Sequence, residues 1–309
     1  MTKPQLLIIG STNTDMVVQG ATLPQPGETV TGGAFRLSPG GKGANQAVAA
    51  ARAGAAVTFI TALGDDALGQ DSRERFTRDG IAIDYLVGKP GMATGVALIM
   101  VDASGENMIS VAPGANDALT PENLVAAAPA FLDVQMLIMQ LEIPLPSVQW
   151  AADYATKLGC PLLLNPAPMP PGGLPDSLLR CVQVLTPNEG ELRALAPDAP
   201  TLEAAAASVL SRGPQVVVVT RGRQGAEVFT AQETFHVPAF PVAAVDTVGA
   251  GDCFTAALGV ALVEAQPLRD AVRFAAAAAA LSTTLRGAQE AMPSREAIER
   301  FLEAMAVAD

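Results

Sequence analysis

Short apolar runs alternate along the chain with longer segments that have helical spacing or are rich in alanine. The apolar runs, which predict strands, span residues 6–9, 57–62, 135–141, 161–165, 182–186 and 215–220. The predicted helices span residues 44–53, 67–79, 121–128, 147–158 and 202–211. Several strands are apolar on both faces, which is typical of a parallel sheet covered by helices. The pattern predicts an α/β fold: a three-layer sandwich with a mostly parallel central sheet flanked by helices.

Two stretches, at about 14–38 and 95–111, interrupt this alternation. The first contains short alternating segments with several prolines and glycines, and the second predicts a β-hairpin around residues 102–106. We expect them to form a small β subdomain inserted into a single domain that spans residues 1–309. At this point a lid over an active site and a plain surface meander are both open interpretations.

The charge balance excludes several classes of partner. The 309 residues include 31 acidic and 19 basic side chains, for a net charge of −12, which repels nucleic acid and anionic membrane surfaces. The longest uncharged alanine-rich run lies between Arg273 and Arg286, too short for the roughly 20 residues of a bilayer helix. The chain begins with a predicted strand rather than a signal peptide, so we expect a cytoplasmic protein.

The cysteine and histidine content excludes further kinds of catalytic and metal site. The three cysteines are scattered and the one histidine is His236, so the motifs of a zinc site, a redox dithiol and a Ser-His-Asp triad are absent from the sequence. Scattered cysteines fit a reducing compartment. His236 falls in an alternating strand pattern, which favours an ordinary strand position over a general base.

A glycine-rich segment, Gly249-Ala250-Gly251-Asp252, precedes an apolar helical stretch that extends to Val263. Glycines that open a helix leave backbone N–H groups free at its positive end, which makes a pocket for a phosphoryl group or a developing negative charge. Asp252 could instead simply cap the helix. Capping does not need two glycines, so the anion pocket is favoured.

A second glycine-rich segment, residues 39–46, also leads into a predicted helix. Its three glycines allow close approach of the backbone to a ligand, and Lys42 and Asn45 offer donors suited to hydroxyl groups. The spacing matches neither a P-loop nor a dinucleotide-binding fingerprint. A glycine-rich turn with a solvated lysine is the alternative interpretation.

Polar residues follow the predicted strands where each strand ends. They are Asn13, Asp15, Glu142, Asn165, Asn188, Glu189 and the segment Thr220-Arg221-Gly222-Arg223-Gln224-Gly225. Any one of them could be a loop residue or a helix cap. Because the carboxyl ends of parallel strands share one edge of a sheet, we expect these side chains to gather there.

The segments at 40–46 and 246–252 resemble the two signatures of the ribokinase-like (PfkB) carbohydrate kinases. Shorter matches extend this resemblance in order along the chain, at residues 13–15, 26–30, 95–97, 114–116, 165–168, 186–189 and 286–289. The resemblance implies the three-layer fold with a β lid and, from the form of the first signature, ATP-dependent phosphorylation of D-ribose at O5.

Residue roles follow from the same resemblance. It implies Asp252 as the base, with Gly249, Ala250 and Gly251 around the transferred phosphoryl group. It implies a sugar site formed by Asn13, Asp15, Gly41, Lys42, Asn45, Glu142 and Asp252. It implies a nucleotide site formed by Asn188, Thr220, Arg221, Gly222, Arg223, Gln224, Gly225 and Gly251. Ala276 would also belong to this site, at a position where the family often has a histidine or asparagine that faces the adenine.

The resemblance also implies two metal ions and a dimer. Mg²⁺ would accompany ATP, with the region Asn188-Glu189-Gly190-Glu191 tuning its binding. K⁺ would be held by Asp246, Val248, Ser282, Leu285, Gly287 and Ala291, although the charge of Arg286 or a rigid loop could take its place. A homodimer would form through the lids.

Other functions remain open on the sequence alone. A kinase of the same fold could act on deoxyribose, fructose or adenosine, and a sugar-binding regulator could lack catalysis. A nucleoside kinase would need apolar or aromatic groups to hold a base, and only 4% of this chain is aromatic. Asp252 and its glycines are all present, which disfavours the regulator.

Overall fold

A computed structural model describes residues 3–308 of the chain. The strands are β1 (Gln5–Ile9), β2 (Asn13–Gln19), β3 (Ala34–Gly40), β4 (Ala56–Ile60), β5 (Ala62–Gly64), β6 (Val87–Lys89), β7 (Gly95–Val101), β8 (Asn107–Ala112), β9 (Met136–Met139), β10 (Leu162–Leu164), β11 (Val184–Leu185), β12 (Val216–Thr220), β13 (Ala226–Thr230) and β14 (Thr234–Val237). The helices are α1 (Lys42–Arg52), α2 (Ala67–Arg78), α3 (Pro121–Ala126), α4 (Leu145–Leu158), α5 (Asp176–Leu179), α6 (Glu189–Leu195), α7 (Leu202–Leu210), α8 (Ala250–Val263), α9 (Leu268–Ser282) and α10 (Arg295–Ala308).

The main sheet has the strand order β14-β13-β12-β11-β10-β9-β1-β4. The strands from β12 to β4 run parallel to one another, and β13 and β14 add an antiparallel edge. The six predicted strands all lie in the parallel part, which confirms the mostly parallel sheet. His236 lies on β14, as the alternating pattern predicted, with its Nδ1 3.1 Å from Glu227 Oε1.

Helices cover both faces of this sheet, and the central strand β1 shows why. Leu6 and Ile8 point into a core formed with α1, α8 and α9, while Leu7 and Ile9 point into a core formed with α3, α4 and α7. Successive side chains of a strand face opposite sides, so a continuous apolar run needs a helix layer on each. The predicted three-layer sandwich is confirmed. Within residues 3–308, no helix combines the length and hydropathy that crossing a bilayer requires.

Strands β3-β2-β7-β8 form a second, four-stranded sheet, which we call the lid sheet. The hairpin predicted around residues 102–106 is its β7–β8 turn, in which the Asp102 carboxylate accepts hydrogen bonds from the N–H groups of Ser104 and Glu106. The strands fall within about two residues of the interrupted stretches at 14–38 and 95–111. That residues 1–309 form a single domain stays a prediction.

The two faces of the lid sheet differ in character. One face carries exposed apolar side chains, namely Val18, Phe35, Leu37, Leu98 and Met108, which the strand register places side by side. The opposite face carries Asp15, Arg36 and Ser38 on β2 and β3, and the exposed apolar side chains of Ile109 and Val111 on the edge strand β8. A sheet with polar groups at β2 and β3 on one face and exposed apolar side chains across the other is suited to cover a polar site on one side and to associate through the other.

The start of α1 packs tightly against the backbone that follows β1. A Cβ on Gly43 would lie 2.5 Å from the backbone of Gly10 and Ser11, and one on Gly41, whose φ is +88°, would lie 2.6 Å from the N of Asn13. The sequence suggested that these glycines admit a ligand. In the structure they admit the protein's own backbone, and this contact carries Lys42 and Asn45 to the carboxyl end of the sheet.

Candidate active site

Asp252 lies in the first turn of α8 and is 5% exposed. Its carboxylate accepts hydrogen bonds from two amides of α1: Asn45 Nδ2 at 2.9 Å from Oδ2 and Gln46 Nε2 at 3.0 Å from Oδ1. The carboxylate therefore bonds across to another helix and does not cap its own. The two glycine-rich segments, which are far apart in sequence, form one site around it.

The amino end of α8 has the features expected of the predicted anion pocket. Gly249 occupies the N-cap with φ +76°, in the left-handed region that favours glycine, and no side chain caps the helix. Within residues 3–308, the N–H groups of Gly251 and Asp252 donate no backbone hydrogen bond. A Cβ on Gly251 would meet no other atom within 4 Å, so its backbone faces open space. Two free N–H groups at a positive helix end suit a phosphoryl group.

Lys42, the first residue of α1, supplies the positive charge of the site. The nearby Asp252 carboxylate is the main cause that raises the pKa of the Lys42 ammonium, Glu142 and Glu191 add to it, and burial opposes it. The ammonium therefore stays charged. Its charge lies near the carboxylates of Asp252, Glu142 and Glu191, and an ammonium group can bind a phosphate or a hydroxyl.

Glu142, after β9, is held by the loop that follows β1. Its Oε2 accepts hydrogen bonds from Ser11 Oγ at 2.6 Å and from the N–H of Lys42 at 2.9 Å. Both bonds use one oxygen, which fixes the carboxylate and leaves Oε1 for a ligand. The structure thereby places Glu142 beside the start of α1, as expected for residues at neighbouring strand ends.

Asn13 and Asp15 lie on β2, where the main sheet meets the lid sheet. Asn116 donates to Asn13 Oδ1 at 2.8 Å, so the Nδ2 of Asn13 is directed to the site. Burial is the main cause that raises the pKa of Asp15 to about 6, and the negative charge of Glu142 is the second. The charges of Glu290 and Asp252 raise this pKa further, while Arg36 lowers it. The lid sheet thus contributes an acceptor and a donor suited to hydroxyl groups.

Asn188 and Thr220 are brought together as partners in a β-bridge between the ends of β11 and β12. Asn188 caps α6 reciprocally with Glu191, whose oxygens accept from the N–H and Nδ2 of Asn188 at 2.8 and 2.9 Å. Burial raises the pKa of Glu191, and Lys42 lowers it. The acid whose charge acts on Lys42 and Asp252 is therefore the half-buried Glu191, whereas Glu189 pairs with Arg193 and Arg221.

The segment 220–225 turns sharply beside this bridge. Arg221 forms ion pairs with Glu189 and Glu227, and Gly225 packs so closely that a Cβ would lie 2.2 Å from the carbonyl oxygen of Val237. Gly222, Arg223 and Gln224 form a single helical turn between them.

Ala276 lies on α9, is 9% exposed and packs into the apolar core. Its methyl group offers a ligand no hydrogen bond.

Asp246 joins the two loops of the predicted cation site. Its Oδ1 accepts from the N–H of Val248 at 3.1 Å, and its Oδ2 accepts from the N–H of Gly287 at 3.0 Å. Within residues 3–308, the carbonyl oxygens of Val248, Leu285 and Gly287 accept no backbone hydrogen bond. Ser282 ends α9, and Ala291 lies in the turn after Gln289. The donor set is one carboxylate with several free carbonyls.

Five polar residues of the site did not stand out in the sequence as site residues. They are Ser11, Gln46, Asn116, Gln140 and Gln289, all of which contact predicted site residues or one another. Gln46, Asn116 and Gln289 lie inside the family's motifs, and this was the one sign in the sequence that they belong to the site. Ser11 and Gln140 follow strands, and only the tertiary contacts show what they hold.

Comparisons with known proteins agree with this geometry. A ribokinase of Bacillus subtilis is 40% identical over 297 residues, which cover 96% of this chain and 99% of that protein. A deoxyribokinase of Salmonella typhimurium is 36% identical over 302 residues, covering 96% and 98%. The structure of Arabidopsis thaliana ribokinase complexed with ribose and ATP matches with a TM-score of 0.89 and 34% identity, over 98% of this chain and 99% of that one.

The family model of the pfkB carbohydrate kinases matches residues 3–295, nearly the whole described chain. The match includes both glycine-rich segments and the two amides that hold Asp252. The chain belongs to the pfkB family of carbohydrate kinases.

Proposed function

We propose that this carbohydrate kinase transfers the γ-phosphoryl group of ATP to the 5-hydroxyl of D-ribose. The observation that carries the proposal is the meeting of a buried carboxylate, Asp252, with the free N–H groups that open α8. A base and an anion pocket lie side by side, as transfer to a hydroxyl requires. The similarity to ribokinases, one of them solved with ribose and ATP, supports the choice of sugar.

Each group of residues takes a distinct part in this reaction. Asn13, Asp15 and Glu142 hold sugar hydroxyls from the lid side and from the end of β9. Asp252 accepts the proton of the attacking hydroxyl, while Lys42 and the N–H groups of Gly251 and Asp252 face the transferred phosphoryl group. Asn188, Thr220 and the segment up to Gly225 line the nucleotide side. Bound Mg²⁺ would neutralise the triphosphate, with Glu191 facing the phosphates.

A coupled ADP-release assay with ribose, deoxyribose, fructose and adenosine tests the substrate. We expect ribose to give the highest kcat/KM. The 36% identical deoxyribokinase makes deoxyribose the next candidate, and a preference for deoxyribose would contradict the assignment.

Asp252→Asn should lower kcat by about 10²–10⁴-fold because it removes the base. Asp84→Asn, on an exposed residue, is the matched control.

The pKa of Asp15, raised to about 6, predicts a pH-dependent affinity for the sugar. The ionised carboxylate accepts hydrogen bonds from two hydroxyls more strongly than the protonated acid, one oxygen of which has become a donor. Lowering the pH through about 6 should therefore weaken ribose binding and raise its KM. Calorimetric titration of ribose from pH 5 to 8 measures the affinity. An affinity that is flat over this range, or that rises at low pH, would contradict the role of Asp15. The variant Asp15→Asn should bind ribose weakly at every pH.

We also propose that two copies associate through the apolar face of the lid sheet. Five exposed apolar side chains lie together there, whereas monomeric proteins rarely leave so many adjacent ones in water. Pairing of two lid sheets would bury these residues. It would also hold each lid over a site, from which water, the competing acceptor of the phosphoryl group, must be excluded.

Light scattering at micromolar concentration tests this association, and we expect the mass of a dimer. Leu98→Lys places a charge in the middle of the apolar face and should shift the mass towards a monomer. Leu132→Lys is the matched control, because Leu132 is also exposed, at 61% against 53% for Leu98, but lies outside the lid sheet. A wild-type monomer, or equal effects of both substitutions, would contradict the proposal.

We further propose a monovalent cation, K⁺, at the loops joined by Asp246. The residues fit, because one carboxylate and several unbonded carbonyls suit a large, weakly hydrated cation better than Mg²⁺, which demands a tight octahedron. A bound cation would stabilise the turn that carries Gly249 and so the free N–H groups of α8. The alternative, in which Arg286 supplies the charge, predicts no cation dependence.

Turnover in K⁺, Na⁺ and tetramethylammonium at constant ionic strength distinguishes these two possibilities. We expect the highest turnover in K⁺, with little change in the KM of ribose. Asp246→Asn should reduce the differences among the cations, whereas Asp270→Asn, on an exposed residue of α9, should leave them unchanged. Equal rates in all three cations for the wild type would exclude the site.

A cytoplasmic location is also proposed. Cys160, Cys181 and Cys253 are buried as free thiols, and burial raises the pKa of Cys160 to about 11 and that of Cys253 to about 12. Neutral, unpaired thiols of this kind are typical of proteins in reducing compartments. Cell fractionation is the direct test.

A further inference from the structure

Two buried glutamines extend the contacts of Asp252 into the core. Gln46 Nε2 donates to Asp252 Oδ1 at 3.0 Å, and Gln46 Oε1 in turn accepts from Gln140 Nε2. Both glutamines are 0% exposed. Water cannot replace either bond without repacking, so the three side chains form one fixed chain of hydrogen bonds.

The direction of this chain follows from the chemistry of the carboxylate. An ionised carboxylate only accepts hydrogen bonds, so Gln46 must direct its amino group towards Asp252 and its oxygen away. Gln140 must then direct its own amino group towards that oxygen. The opposite orientation of either amide would set two oxygens against each other.

This direction has an energetic consequence at the far end of the chain. Gln140 Oε1 is buried, and no donor within residues 3–308 bonds to it. It lies against Gly10, where a Cβ would be 2.0 Å away, so the glycine is what makes room for it. A buried oxygen without a donor destabilises the fold, and such exceptions are typical of functional sites. The oxygen faces away from Gln46 because the amino group of Gln140 is used on Gln46 Oε1.

A parallel pair of amides holds the other oxygen of the carboxylate. Gln289 Nε2 donates to Asn45 Oδ1 at 3.2 Å, and Asn45 Nδ2 donates to Asp252 Oδ2 at 2.9 Å. Each carboxylate oxygen thus receives one bond from a fixed direction and keeps one lone pair free. The plane of the carboxylate is fixed while its capacity to accept a proton remains.

We propose that Gln46 and Gln140 are positioning residues, which hold the Asp252 carboxylate in the orientation that accepts the proton of the attacking hydroxyl. The proposal rests on the proposed function for the identity of the base. It assigns the two glutamines to the transfer step, because their hydrogen bonds lead to the base Asp252 and neither one bonds to Asp15 or Glu142, the other acids of the sugar site.

Steady-state kinetics of Gln46→Met and Gln140→Met test the proposal. Methionine is similar in size to glutamine but donates no hydrogen bond, so the core volume is kept. Gln46→Met should lower kcat by about 10²-fold, the scale of a misplacement of about 1 Å, and Gln140→Met by about 10-fold. The KM values for sugar and ATP should stay within about twofold. Gln232→Met, on an exposed loop, is the matched control and should leave all three constants unchanged.

A second background separates positioning from a merely structural role. With Asp252→Asn already present, Gln46→Met should cost little further activity, because no base is left to orient. Equal fold-losses in both backgrounds, or a raised KM with an unchanged kcat, would overturn the proposal. If Gln46→Met does not fold, Gln140→Met provides the test, because Gln140 does not contact Asp252. An unchanged kcat of Gln140→Met would overturn the proposal.

The assays use whichever acceptor the wild type turns over fastest, so a wrong sugar leaves the test intact. If the wild type prefers deoxyribose but the glutamine variants lose kcat as expected, the proposed substrate fails and the positioning role stands. If the wild type phosphorylates ribose and both methionine variants match it, the positioning role fails alone. A wild type whose turnover survives Asp252→Asn would overturn both assignments.

Discussion

The burial of one carboxylate is the constraint on which the rest of this structure depends. A carboxylate taken out of water destabilises a protein by several kcal/mol unless hydrogen bonds replace those of water. Asp252, at 5% exposure, receives its bonds from Asn45 and Gln46 on α1. Two helices from opposite ends of the chain must therefore meet at their amino ends, on the same side of the sheet.

The glycines follow from that meeting. For Asn45 and Gln46 to reach α8, the start of α1 must lie against the backbone after β1, and Gly43 allows an approach that any side chain would block. The same contact lets the backbone N–H of Lys42 donate a hydrogen bond to the Glu142 carboxylate, to which the hydroxyl of Ser11 also donates. One close packing contact thus sets the positions of Asp252, Lys42 and Glu142 together.

The lid sheet contributes in a different way, because its residues act from outside the main sheet. β2 follows the end of β1 and carries Asn13 and Asp15, and Asp15 lies near the charges of Glu142 and Asp252. Acidic groups concentrate here: Asp15, Glu142 and Asp252 repel one another enough to raise the pKa of Asp15 beyond the effect of burial alone. A neutral, hydroxyl-rich ligand relieves this crowding by donating hydrogen bonds, whereas an anion would not.

The layers, the parallel strands, the lid hairpin and the two glycine-rich segments could all be predicted from the sequence, because each depends on local periodicity or on residues close together in the chain. Asn13, Asp15, Glu142 and Asp252 could be named as well, since strand ends and motifs mark them. The sequence could not show that Gly41 and Gly43 pack against the protein's own backbone, or that Glu189 forms ion pairs with Arg193 and Arg221. Nor could it join Gln140 to Gln46, 94 residues apart, or Gln46 to Asp252, 206 residues apart. Those contacts link side chains whose separation along the chain carries no periodic signal, so they depend entirely on the packing of α1 against α8 and β9.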